Sequence, residues 1–148
     1  MKTIISSIIF LLVSVFSSTL SAQLSVENGS NSLPMTIKSC RAEGKNVVVT
    51  FYLRNNSSQD MSPRNFYIKT LIDDEGNSYS HARYYSIKQG GNKTSWVDIP
   101  NNTRVKMTLE VGPVDPAASS FDVIQLQMYI KEKGQVIYEV RNLPISRD

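Results

Sequence analysis

The sequence predicts a two-layer β-sandwich of about seven antiparallel strands, and three observations predict it. Several segments alternate apolar and polar residues with a period of two, the mark of a strand with one dry and one wet face. Turn-forming residues punctuate the chain at spacings of roughly 8–12 residues, the rhythm of sandwiches and small barrels. No segment of useful length sustains a 3.6-residue period, and Pro116 to Ser119 has room for one short turn only.

The first 22 residues stand apart from this pattern. Lys2 supplies a basic start, Ile4 to Phe16 are mostly apolar, and small residues from Ser17 to Ala22 lead to Gln23. That is the layout of a secretory signal peptide cleaved after Ala22, and its apolar part falls short of the ~20 residues needed to span a bilayer. Residues 23–34 are polar, rich in Asn and Ser and broken by Gly29 and Pro34. They read as a flexible leader with at most a short edge strand at Leu24 to Val26. The sandwich domain is therefore expected over residues 35–148, starting near Met35.

Met35 to Cys40 opens the domain, and its alternation leaves undecided whether Cys40 points inward. From Val47 to Arg54, Val47, Val49, Phe51 and Leu53 share one face. Asn65 to Ile72 places Phe66, Ile68, Thr70 and Ile72 together. Asp73-Asp74-Glu75-Gly76 suits a type I turn, with a returning strand expected over Asn77 to Tyr85. Arg104 to Val111 is the cleanest strand, with Val105, Met107, Leu109 and Val111 opposed to Arg104, Lys106, Thr108 and Glu110. Gly112 to Pro116 is a stiff crossing between sheets. Phe121 to Lys131 sets Ile124, Leu126, Met128 and Ile130 on one side, Lys133-Gly134 marks a hairpin, and Gln135 to Val140 returns. The expected core contains Val49, Phe51, Val105, Met107, Leu109, Leu126 and Met128.

Composition limits function. The 148 residues carry a net charge of +3, and removing Lys2 with the leader peptide leaves 15 basic and 13 acidic residues. Such a small excess, with no basic run longer than two, is not the footprint of a nucleic-acid or anionic-lipid binder. Cys40 is the only cysteine, which excludes an intramolecular disulfide and, lying far from the apolar run, argues against lipid anchoring. His81 is the only histidine, so no His-based metal cluster can form. A Ser–His–Asp site on His81 is formally open, but no Gly-x-Ser-x-Gly elbow accompanies it. Asp73, Asp74 and Glu75 fail as a calcium loop, because Ser78 and Tyr84 stand where Gly and Glu are needed. No cofactor or metal is expected. Five Asn-x-Ser/Thr sequons occur, at Asn28, Asn55, Asn56, Asn92 and Asn101, mostly in expected loops.

One constellation carries a functional reading. Tyr79, Tyr84 and Tyr85 precede the Ser86 to Thr94 loop, with its Gly90-Gly91 pair and nearby Arg83, Lys88 and Lys93, and Trp96 follows it. Exposed, these aromatics would stack on sugar rings or anchor a partner. The blander reading, that Trp96 and one tyrosine cap the core, is preferred because a lone Trp is usually largely buried.

The order of pieces resembles a family of small exported bacterial immunoglobulin-like domains that includes a secreted mycobacterial immunogenic protein. The resemblance is carried by Val47 to Asn56, Phe66-Tyr67-Ile68 leading to Asp74-Glu75-Gly76-Asn77-Ser78-Tyr79, Pro100 with Val105 to Val111, and Phe121 to Tyr129. It implies an immunoglobulin-like sandwich and no catalytic residues. The expected function is an exported, non-enzymatic binding or structural module of the cell envelope, periplasmic or extracellular. Its partner is an envelope or extracellular protein or polysaccharide, without nucleic acid or a membrane anchor after cleavage. The alternatives are a carbohydrate-binding module using Tyr84, Tyr85 and Trp96, and a hydrolase using His81.

Overall fold

Alternation becomes layering in the computed structural model, which describes residues 25–148. The signal peptide expected at residues 1–22 lies outside the described residues. Nine strands form among the described residues: β1 (Val26–Asn28), β2 (Met35–Glu43), β3 (Asn46–Arg54), β4 (Arg64–Asp73), β5 (Tyr85–Gln89), β6 (Asn92–Lys93), β7 (Arg104–Val111), β8 (Ser120–Ile130) and β9 (Gly134–Pro144). They make one sheet in the order β1-β9-β8-β4 and another in the order β2-β3-β7-β5-β6, and every strand pair is antiparallel.

Setting aside the short β1 and β6, the seven longer strands taken in sequence as A to G lie as A-B-E-D against C-F-G. That is the constant-type immunoglobulin arrangement. The chain is an immunoglobulin-like β-sandwich.

The inner faces meet in one core. Leu53, Leu71, Ile99, Val111 and Phe121 are fully enclosed, and Val49, Phe51, Met107, Leu109, Leu126 and Met128 are buried as expected. Val105 is only partly buried, because β5 flanks β7 only from Thr108 to Val111 and leaves Val105 a strand neighbour on one side alone. Cys40 is a free, buried thiol. A bulge between Ile37 and Ser39 shifts the register of β2 by one residue, so Cys40 faces inward opposite Val49. Burial pushes its pKa up to about 12, against a weaker opposing pull from Arg147, and the thiol stays protonated.

Three expectations need correction. Residues 25–34 are part of the sandwich: β1 pairs with β9 through Val26–Val140, and Leu33 is completely buried. Two hydrophobic anchors in an otherwise polar stretch were enough to dock it. Tyr138 completes the attachment by donating its hydroxyl hydrogen to the Leu33 carbonyl at 2.6 Å. Gly29 permits the close approach. Its φ is +77°, and a Cβ there would run into the Tyr138 ring. Gly29→Ala is expected to lower stability by about 1–3 kcal/mol, readable as a shift of the urea midpoint at constant slope.

The strand expected over Asn77 to Tyr85 does not form. After one bridge between Ile72 and Ser78, a 3-10 turn at Ala82–Tyr84 carries the chain across to the other sheet. The Ser86 to Thr94 loop is instead mostly a hairpin. Gly90 and Gly91 both have positive φ, 58° and 83°, as a type I′ turn requires, and Gln89 pairs with Asn92.

Short segments cover parts of the sheet edges. Residues Ser95 to Ile99 run antiparallel to the start of β4, with Phe66 N donating to Ser95 O, Val97 N to Pro63 O, and Met61 and Ile99 exchanging both bonds. The C-terminal Ser146 brackets the edge of β2, accepting from Ala42 N and donating to Cys40 O. Among the described residues no helix is long and apolar enough to cross a membrane.

Candidate functional site

The four-stranded sheet presents the candidate site on its outer face. Arg64, at the start of β4, pairs with Tyr129 of β8 on one side and with Trp96 of the covering segment on the other. Directly opposed residues in an antiparallel pair point to the same side. Trp96, Arg64 and Tyr129 therefore form a row across the sheet. One row further along, Tyr67 pairs with Gln127, which is two residues from Tyr129 and so shares its face.

Trp96, Tyr67 and Tyr129 are 54%, 42% and 38% exposed and are the large exposed hydrophobics of the described chain. All three fall on this one face. Gln127 also points outward yet is buried to 6% exposure, so the side chains around it lie over the sheet rather than standing away from it. Arg64 makes no hydrogen bond or ion pair through its side chain among the described residues. An open depression of about 400 Å³ adjoins Trp96, lined also by Ser62, Arg64, Asn65, Ser95 and Asp98. Trp96 is held from behind: Thr94 Oγ1 donates to its carbonyl at 2.6 Å and accepts from its amide at 3.3 Å. Ser62 donates to the Asp98 carboxylate at 2.6 Å. The combination of flat apolar rings, a free guanidinium and small polar groups is suited to a ligand with both apolar faces and hydroxyl or anionic groups.

The structure places Tyr84, Tyr85 and Trp96 in different surroundings. Trp96 is exposed, which overturns the preferred expectation that it caps the core. An edge segment has only one buried face, and there Val97 and Ile99 take it, leaving Trp96 outward. Tyr84 and Tyr85 are half-buried and packed against the core. Tyr84 meets Tyr79 edge-on at 6.2 Å between centroids, with the Arg83 guanidinium 4.9 Å from its ring. Tyr85 points between the layers, where its hydroxyl accepts from Ile68 N of β4 at 3.1 Å. These two tyrosines support the sandwich and do not join the exposed row. Lys88 is paired with Glu110 at 2.8 Å.

Arg64, Tyr67 and Tyr129 were missed as site residues. The available signal was an aromatic on the wet side of an otherwise well-read strand: Tyr67 lies between Phe66 and Ile68, and Tyr129 between Met128 and Ile130.

Other candidate chemistry is accounted for structurally. His81 is exposed, and its Nδ1 accepts from Arg83 N at 3.2 Å, capping the 3-10 turn. Among the described residues no group of three or more His, Cys, Asp and Glu side chains is placed to hold a metal ion. Asp73 is fully buried, with its carboxylate accepting from Glu75 N and Asn77 N at 2.9 Å and from the Tyr79 hydroxyl at 2.7 Å. Of the sequons, Asn55 is closed to modification in the folded chain: it is fully buried and its amide donates to Gln59 O and Ile99 O.

No family model and no curated protein matches the chain. Solved structures similar to it include a family 123 glycoside hydrolase from Clostridium perfringens, at 8% identity and a TM-score of 0.44, where the alignment covers 84% of this chain. This chain spans 27% of that enzyme. The cupredoxin domain of amoB from Nitrosocaldus yellowstonii is 12% identical, with a TM-score of 0.43 and coverage of 84% of this chain and 90% of that one. A PapD-like domain of human CEP192 is 11% identical, with a TM-score of 0.40 and coverage of 85% and 87%. The strand order, rather than these distant likenesses, defines the fold.

Proposed function

We propose that this chain is an exported, non-enzymatic binding module of the cell envelope, and that its ligand is a glycan held on the Trp96–Arg64–Tyr129 row. The basic, apolar and small-residue order of residues 1–22 supports export. The gathering of all three exposed large apolar side chains on one sheet face carries the binding reading. Scattered exposed hydrophobics need no explanation, whereas a group on one rigid face is what a docking surface presents.

Geometry favours a sugar chain over a small molecule. Trp96 and Tyr129 flank the strand bearing Arg64, so their backbones are about two strand spacings apart, roughly 10 Å. Two linked pyranose rings have a similar reach. The ring faces offer stacking to the C–H side of a sugar, while Arg64, Asn65, Ser95 and Asp98 offer donors and acceptors to its hydroxyls.

Trp96 reports on its own site. Adding a bound polysaccharide should shift and quench its emission, and free Trp96 should be accessible to iodide. Trp96→Ala should abolish measurable binding while changing stability by less than about 0.5 kcal/mol, as for an exposed side chain outside the core. Unchanged Trp96 emission across a panel of neutral and acidic envelope polysaccharides would overturn the glycan assignment.

A further inference from the structure

The outer face of the opposite sheet carries a second feature. Cations that are scattered in sequence converge there. Arg54 of β3 lies directly opposite Arg104 of β7, and the next outward row pairs Tyr52 with Lys106. Lys38 is exposed on the bulge of the neighbouring β2. The strand positions of this half-sheet bear no carboxylate, since Glu110 lies further along and is engaged by Lys88 and Asn46. None of Lys38, Arg54, Arg104 and Lys106 is in an ion pair among the described residues.

Two like charges directly opposite on paired strands oppose sheet formation. Both guanidinium groups are nevertheless oriented. The Arg104 guanidinium stacks 4.2 Å from the centroid of the Tyr52 ring, while Arg54 donates from Nε to Asn56 Oδ1 at 3.0 Å and from Nη2 to Asn102 O at 3.4 Å. Stacking restrains Arg104 and leaves its N–H edge free, and a planar fork matches a carboxylate, sulfate or phosphate group bidentately. Arg54 keeps its Nη1 hydrogens free, so the two guanidinium groups on adjacent strands, roughly 5 Å apart at the backbone, can share one oxyanion. Lys106 and Lys38 extend the positive strip for a polymer with further anionic groups.

We infer that this face binds an acidic polysaccharide, with Arg54 and Arg104 forming the oxyanion site. The choice of a polymer follows from the flat, extended strip of positive charge. A membrane surface is disfavoured because this half of the face carries no exposed large aliphatic side chain to enter a bilayer.

The test is calorimetric titration of the folded chain with polygalacturonate, with neutral dextran of equal length and with vesicles containing anionic phospholipid. Polygalacturonate should bind at least about tenfold more tightly than either comparison ligand, and binding should weaken as salt rises. The double variant Arg54→Gln/Arg104→Gln should lose about tenfold or more in affinity. Arg104→Lys should lose part of it, since a lysine lacks the planar fork. Lys131→Gln/Lys133→Gln removes the same net charge elsewhere and should leave affinity within about twofold. Polygalacturonate held on this face should leave Trp96 emission unchanged, which separates this site from the aromatic row. Thermal melts confirm that each variant is folded. Equal losses in the two double variants would reduce the effect to net charge and overturn the site. Absence of polygalacturonate binding, or tighter binding to anionic vesicles, would overturn the ligand.

Discussion

Replacing Asp73 with alanine is expected to destabilise the fold by about 2–4 kcal/mol, because several donors lose one buried acceptor at once. The carboxylate ends β4, ties down the turn that follows, and holds the Tyr79 hydroxyl, which in turn accepts from Asp115 N at 3.0 Å. One side chain thus joins the turn after β4 to the crossing between β7 and β8. Asp73→Asn is no remedy, since its amide would present a donor where the site supplies only donors. Burial raises the Asp73 pKa, but the bonds from Asn77, Tyr79 and Glu75 outweigh it and hold the group below its ordinary 3.8. A lowered folded-state value means that the contribution is complete above pH 3.8 and is lost as pH falls through the folded-state pKa. Denaturant melts from pH 7 down to pH 2 should show this loss in the parent chain, and a smaller loss in Asp73→Ala.

Leu109→Ala is expected to cost about 2–5 kcal/mol. Leu109 is 4% exposed and sits near the centre of the inner face, opposite Val49 on β3 and Ile87 on β5. Pairing on both sides prevents β7 from collapsing into the space left behind, which places the cost in the upper part of that range. Chemical denaturation would show it as a lower midpoint, and a loss below about 0.5 kcal/mol would mean that the two layers do not meet at this residue.

The strands were legible wherever one face is dry and the other wet. Arg104 to Val111 is legible to its observed ends, because polar residues alternate with apolar ones at every position. The alternation of Met35 to Cys40 could not settle its faces, because a bulge inserts a residue into the period and no local residue announces it. The strand expected over Asn77 to Tyr85 failed for a related reason. A turn signal says that the chain reverses, but not which sheet it joins, and that is decided by long-range packing. At the site, the usual burial of a lone Trp points the wrong way for Trp96, since exposure of a residue on an edge segment depends on which neighbours take the core. The basic face lay furthest from view. Arg54 and Arg104 are far apart along the chain, and only the pairing of β3 with β7 makes them neighbours.

The covered edges have a consequence for how this domain meets other chains. A sheet edge with free N–H and C=O groups is a template for an added strand, from a peptide ligand or from another copy of the same protein. Here Ser95 to Ile99 occupies the margin of β4, β1 lies along β9, Ser146 sits against β2, and the two-residue β6 leaves little length to extend. These contacts shorten the stretches of backbone open to peptide recruitment or self-association by strand pairing. Under the proposed binding function, recognition passes to side chains on the two broad faces, where a sequence can change specificity without disturbing a single rung of the ladder.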